Sequence, residues 1–202
     1  MLTDDIARSV CLVEDLRAIV HEIDIPDNPR TRAAGACFAI AQEYHQAIVR
    51  LIEWKLYAAA FALVRLEFEA YVRGEWLSSC AKDNEIEEFL NGNKEPPKIN
   101  CLINQLETLE LFNVGVLSEI KEKNWRAMCD FTHTGMLHVQ RWNKDDGIQA
   151  NYFQDEILEV INFASHIASF SVIGLANLAD NEALIHRIIE LMDENFPDRK
   201  IG

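Results

Sequence analysis

Between Leu56 and Ala81, apolar side chains fall on every side of a helix drawn at about 100° per residue, so this segment must be surrounded by other elements. Such a helix sits at the centre of a bundle. It nevertheless carries Arg65, Glu67, Glu69, Arg73 and Glu75. Charges there must be paired or face a cavity, because a lone desolvated charge costs several kcal/mol. Arg65, Glu69 and Arg73 follow i, i+4, i+8 spacing, share a face and can alternate in sign as a ladder, with Trp76 a turn further on. Two readings stay open for this stripe, a structural ion network and a functional pocket.

The rest of the chain supplies the helices that surround it. With 8 Gly and 5 Pro in 202 residues and 49% apolar composition, little strand or turn punctuation is available. The expected fold is all-α, an up-and-down bundle of four or five long helices with short accessory helices, forming one domain over residues 1–202. Thr3, Asp4 and Asp5 suit a helix start, and Pro26 closes that segment. Asn28-Pro29 opens a run to about Ile52, and its break from the Leu56–Ala81 helix, placed near Trp54, has no Gly or Pro to mark it. Asp83 to Leu90 is a short helix closed by Asn91-Gly92, and Pro96-Pro97 opens another segment to about Leu111. A long helix is expected from Val116 to Trp142, ending in the polar loop of residues 143–147. Asn151 and Gln154 resemble a capping box ahead of a helix to Leu178, and a last amphipathic helix spans Asn181 to Asn195 before Phe196-Pro197.

On the Val116–Trp142 helix, Trp125, Met128, Thr132, Gly135, Val139 and Trp142 form a packing seam at 3, 4, 3, 4, 3 spacing. Beside it runs a second stripe, Arg126, Asp130, His133, Leu137 and Gln140. Asp130 is close enough in sequence to orient the His133 imidazole. Arg126 lies about 10 Å from His133 along the axis, a gap that a substrate phosphate could bridge. The Arg65/Glu69/Arg73 and Arg126/Asp130/His133 stripes are expected to face each other.

Several function classes fall away. A net charge of −14 disfavours general nucleic-acid binding, although Lys121 to Lys144 holds five basic residues against two acids. Asn162, His166, three serines and Asn177 interrupt the most apolar stretch, residues 161–179, which argues against a membrane span. No signal segment is visible. Cys11, Cys37, Cys80, Cys101 and Cys129 are scattered without a Cys-x-x-Cys pair and read as reduced core residues. His133 and His138 are five apart, so a metal site would need His45 or Glu69 from elsewhere; no metal or cofactor is the expectation, and His21, His45 and His166 read as core or edge histidines. The four tryptophans read as core and interface rather than as a ligand cage.

The run Arg126-Ala-Met-Cys-Asp-Phe-Thr-His133 resembles the Arg-x(4–6)-His motif of the HEPN superfamily, helical bundles that include dimeric toxin and abortive-infection ribonucleases. The resemblance implies an HEPN-like fold, with His133 as general base or acid on a ribose hydroxyl, Arg126 holding the phosphate, and no metal. Catalytic members carry a polar residue directly after the arginine, where this chain has Ala127. Over most of its length the chain also resembles a bacterial helical family of unknown function. That likeness rests on Ala60-Phe-Ala-Leu-Val-Arg65-x-x-x-Glu69 and Arg73-Gly-Glu-Trp76-Leu77, paired with Trp125-Arg-x-Met-x-x-Phe-Thr-His133-x-Gly135. It implies that both stripes belong to one site or core network. The expectation is a cytoplasmic, homodimeric, non-enzymatic component that binds a protein partner in stress or defence. A metal-independent ribonuclease using Arg126 and His133, with Asp130 in support, and a small-ligand or metal-binding bundle are the alternatives.

Overall fold

A computed structural model describes residues 2–21 and 23–196, and these are all-α apart from one hairpin of two-residue strands. The elements are α1 (Leu2–His21), α2 (Pro29–Glu53), α3 (Tyr57–Ser79), α4 (Asp83–Leu90), α5 (Ile99–Leu106), α6 (Val116–Thr132), α7 (Met136–Gln140), α8 (Gln154–Leu178) and α9 (Glu182–Asn195). A single 3-10 turn at Glu110–Phe112 follows α5, and β1 (Asn143–Lys144) pairs antiparallel with β2 (Gly147–Ile148) after α7. Pro197 lies outside the described residues.

As its all-round apolar pattern demands, α3 is central, packed by α2, α8, α6 and α5. Its joint with α2 and α8 is built on one ring. A Cβ on Gly74 of α3 would lie 2.7 Å from the Phe38 ring of α2, and one on Gly174 of α8 would lie 2.5 Å from the same ring. Only glycine lets three helices close on a fully buried phenylalanine there. The second long apolar helix, α8, serves two cores. Ala164, Ile167 and Leu175 face the α2/α3 cluster, whereas Ala168, Val172 and Ala176 pack with Leu12 and Leu16 of α1 and Ile188 of α9. This double burial explains why α8 is long and apolar enough to cross a membrane while 56% of its most apolar window is buried inside the protein.

Helix starts follow the sequence where a side chain caps them. Asn28 accepts the Thr31 N–H at 3.0 Å and Thr31 returns the bond, and Asn181 accepts from Leu184 at 3.0 Å. Asn151 does not cap α8; instead Glu156 reaches back to the Phe153 N–H at 3.2 Å. The segment after Pro96-Pro97 is α-helical only over α5 and does not run on to Leu111, which sits in the separate 3-10 turn and is 74% exposed.

The larger correction concerns the Val116–Trp142 helix, which is broken. Thr134 takes a left-handed φ of 55°, and the Gly135 N–H donates to the Asp130 carbonyl at 2.7 Å, a six-to-one closure of the Schellman type. Two other helices end the same way without glycine. Lys55 (φ 60°) follows α2 with Leu56 N–H on Leu51, and Asp180 (φ 52°) follows α8 with Asn181 N–H on Ala176. The break near Trp54 is therefore real.

Candidate functional site

The two stripes meet at one point. Arg65 of α3 donates from Nε to Glu69 Oε1 at 2.7 Å, the expected i, i+4 pair, each side chain 20% exposed. Its Nη1 lies 2.6 Å from His133 Nε2, and the guanidinium stacks over Trp125 at 4.6 Å from the ring centroid. Lys121 lies 5.4 Å from the same centroid. Because a guanidinium only donates, the bond requires a lone pair on His133 Nε2, which places the proton of the neutral ring on Nδ1. Antiparallel packing brings these groups together: Thr132 Oγ1 donates to the Ala62 carbonyl at 3.1 Å, holding the last turn of α6 against the first turns of α3.

The remaining candidates go elsewhere. Arg73 does not extend the ladder; its Nε is buried without a hydrogen-bond partner, and its charge acts on Cys37 of α2, drawing down a thiol that burial pushes up to about 11. Trp76 is buried and donates to Gln105 of α5 at 2.7 Å. Asp130 does not orient His133, because its Oδ2 accepts the Leu137 N–H at 3.2 Å and begins α7. Arg126 is exposed and enters no ion pair among the described residues. At about 100° per residue it leaves α6 on the side away from Met128, which faces the core. The seam holds for Trp125, Met128 and Thr132, then ends with α6, so Val139 and Trp142 are 52% and 41% exposed. Of the cysteines, Cys37 is buried but Cys11 and Cys101 are exposed, which corrects their reading as core residues. His45 is a core histidine, 3.2 Å from Ser165 Oγ, and burial pulls it down to about 3. No group of three or more His, Cys, Asp or Glu among the described residues is placed to hold a metal.

The sequence pattern put Glu67 and Glu75 on the central helix without singling them out, yet they are the most deeply buried acids. Glu67 is 0% exposed, neither carboxyl oxygen has a partner, and desolvation raises its pKa well above 4.5. Glu75 is 7% exposed and is raised to about 7 by burial. Burial drives Glu67 toward the neutral carboxyl and leaves Glu75 about half protonated near pH 7, whereas the 20%-exposed Arg65 and Glu69 are paired with each other.

As chemistry, the Arg65/His133/Trp125 cluster is a half-exposed, ion-paired aromatic contact whose guanidinium already has carboxylate, imidazole and ring partners. An anion could add to it at Lys121 or the outer edge of His133. No curated protein and no solved structure matches the chain. A family model matches residues 38–200, beginning at Phe38 within α2 and covering α3 to α9. The chain therefore belongs to this family, a family of unknown function, DUF6988.

Proposed function

We propose that the chain is a non-enzymatic binding component that docks a protein partner through one end of its bundle. The carrying observation is where the large apolar side chains are exposed. Trp54 (66%) and Leu56 join α2 to α3; Met136 and Val139 share one face of α7, with Trp142 just after it; Ile148 (86%) and Phe153 follow on the hairpin and at the start of α8. All lie at the same end, since Tyr152 packs on Tyr57 and Phe61 and Thr132 bonds Ala62. These are seven of the thirteen large apolar side chains exposed among the described residues, with Leu111, Val114 and Val116 a smaller group around the 3-10 turn and the start of α6, and apolar surface concentrated in this way marks an interaction site. The exposed charges around it are mainly acidic, Glu53, Asp145, Asp146 and Asp155 against Lys55, with Lys144 half-buried, so the partner presents an apolar centre with a basic rim.

A photo-crosslinking residue at position 148 tests this in cells. The expected product is a single adduct with a different protein, lost on Met136→Lys with Val139→Lys and absent from a control crosslinker at position 88. Adducts of equal yield at the control position, or adducts insensitive to the lysines, would reject the docking end.

The HEPN-like ribonuclease is the second reading. It is favoured by the helical architecture and by the exposed His133 beside a guanidinium, with Arg126 two turns earlier. Against it, Arg65 occupies His133 Nε2, and Arg126 and Asp130 do not converge on the imidazole. Total RNA incubated with the protein in chelator separates the two, because undiminished cleavage by both His133→Ala and Arg126→Ala sinks the nuclease.

A further inference from the structure

The geometry points to a second binding site, in the cleft between α3, α6, α7 and α8, for an organic cation with an apolar body such as an arylalkyl amine. The cavity measures about 430 Å³, within the range of small-ligand sites. Phe61, Val64, Met128, Phe131, Val160 and Phe163 form its apolar walls. The rings are fixed by one another: Phe61 meets Phe131 edge to face at 5.0 Å, and Phe163 leans on Phe68 at 6.2 Å. They offer an aromatic body that enters the cleft ring surface to pack against.

Charge at the mouth selects the same class. Arg141 is spent on Glu156, with Nε donating to one carboxylate oxygen at 2.9 Å and a second guanidinium nitrogen bonding the other. The pair is neutral as a unit, so an anionic ligand finds no free positive charge in the lining. Glu159, one turn further along α8, also lines the cleft, is exposed and has no ion pair among the described residues. It is the single uncompensated charge of the described lining. An ammonium group seated at the mouth would meet this carboxylate while its apolar body fills the aromatic interior.

The methionines provide the readout. Of the four in the chain, Met128 lines the cleft, Met136 stands at the exposed docking end and Met192 lies in the second core. With ¹³C-methyl-labelled methionine, the protein is titrated at low salt with 4-phenylbutylamine, 4-phenylbutan-1-ol and 4-phenylbutanoate. The amine is expected to shift the Met128 methyl saturably, to leave Met192 unmoved, and to bind at least about tenfold tighter than the acid, with the alcohol between. Glu159→Gln should weaken the amine roughly threefold and leave the alcohol unchanged. Ala127→Leu, which fills the cleft from α6, should abolish the Met128 response, with a melting curve run beside it. Equal affinities for the three probes, a shift confined to Met136, or no Met128 response up to about 10 mM amine would overturn the assignment.

Discussion

Replacing Glu67 by methionine should make this protein more stable. In the folded chain the Glu67 carboxyl is fully buried and its two oxygens lack partners. An unsatisfied buried polar group costs about 1–3 kcal/mol, and methionine fills nearly the same volume without it, so Glu67→Met should gain about 2 kcal/mol. For a chain of this size that is a rise of roughly 4–8 °C in Tm. The pH dependence gives a second handle. Burial raises the folded pKa above the ordinary 4.5, so between that value and the folded pKa the native state holds a proton that the unfolded state has released. The stabilising contribution is complete below 4.5 and is lost as pH rises, by up to about 1.4 kcal/mol per pH unit. Glu75, raised to about 7, adds a like slope from 4.5 to about 7, worth about 3 kcal/mol in all. Urea unfolding followed by circular dichroism at pH 5, 6, 7 and 8 should show wild-type stability falling across the series and Glu67→Met falling less steeply. A less stable methionine variant, or an unchanged pH slope, would refute the reasoning and show that Glu67 has a partner in solution.

Other outcomes follow from named contacts. Gly174→Ala should cost about 1–3 kcal/mol in chemical denaturation, because its Cβ would lie 2.5 Å from the Phe38 ring. Thr134→Gly should stabilise by about 0.5–1 kcal/mol by removing a β-branched residue from a left-handed φ of 55°, visible as a raised Tm. Glu69→Ala should cost about 1 kcal/mol rather than the several expected of a sealed network, since both partners of the pair are 20% exposed; a double-mutant cycle with Arg65→Ala measures the coupling.

Much of the helical framework was legible because it is written in local chemistry. Asn28-Pro29, Asn91-Gly92 and Asn181 act where they stand in the chain, and Arg65–Glu69 is set by spacing within one helix. The candidate site was legible only where it rested on that spacing. Reading Val116 to Trp142 as one helix carried Asp130 and His133 onto a continuous stripe, whereas the left-handed residue that stops α6 is a threonine, which does not announce a terminus as glycine does. In the sequence Gly135 reads as a point of close helix approach, but its closest constraint is local, since a Cβ there would lie 2.7 Å from Asp130 Oδ1. The isolation of Glu67 was beyond reach for a different reason. Periodicity placed five charges on the central helix, but which one lacks a partner depends on the helices packed against it.

The phenylalanine held between two glycines also has a dynamic consequence. Since Gly74 and Gly174 both rest on Phe38, neither α3 nor α8 can slide past α2 without forcing that ring aside. These three helices should open as one cooperative unit, and their amides should be the last to exchange with deuterium. The α1 and α9 cluster, packed on the other face of α8, can detach without disturbing the ring, so its amides should exchange through an earlier, partial opening. The family match begins at Phe38, so the shared segment holds the slow-exchanging knot and leaves α1 outside it.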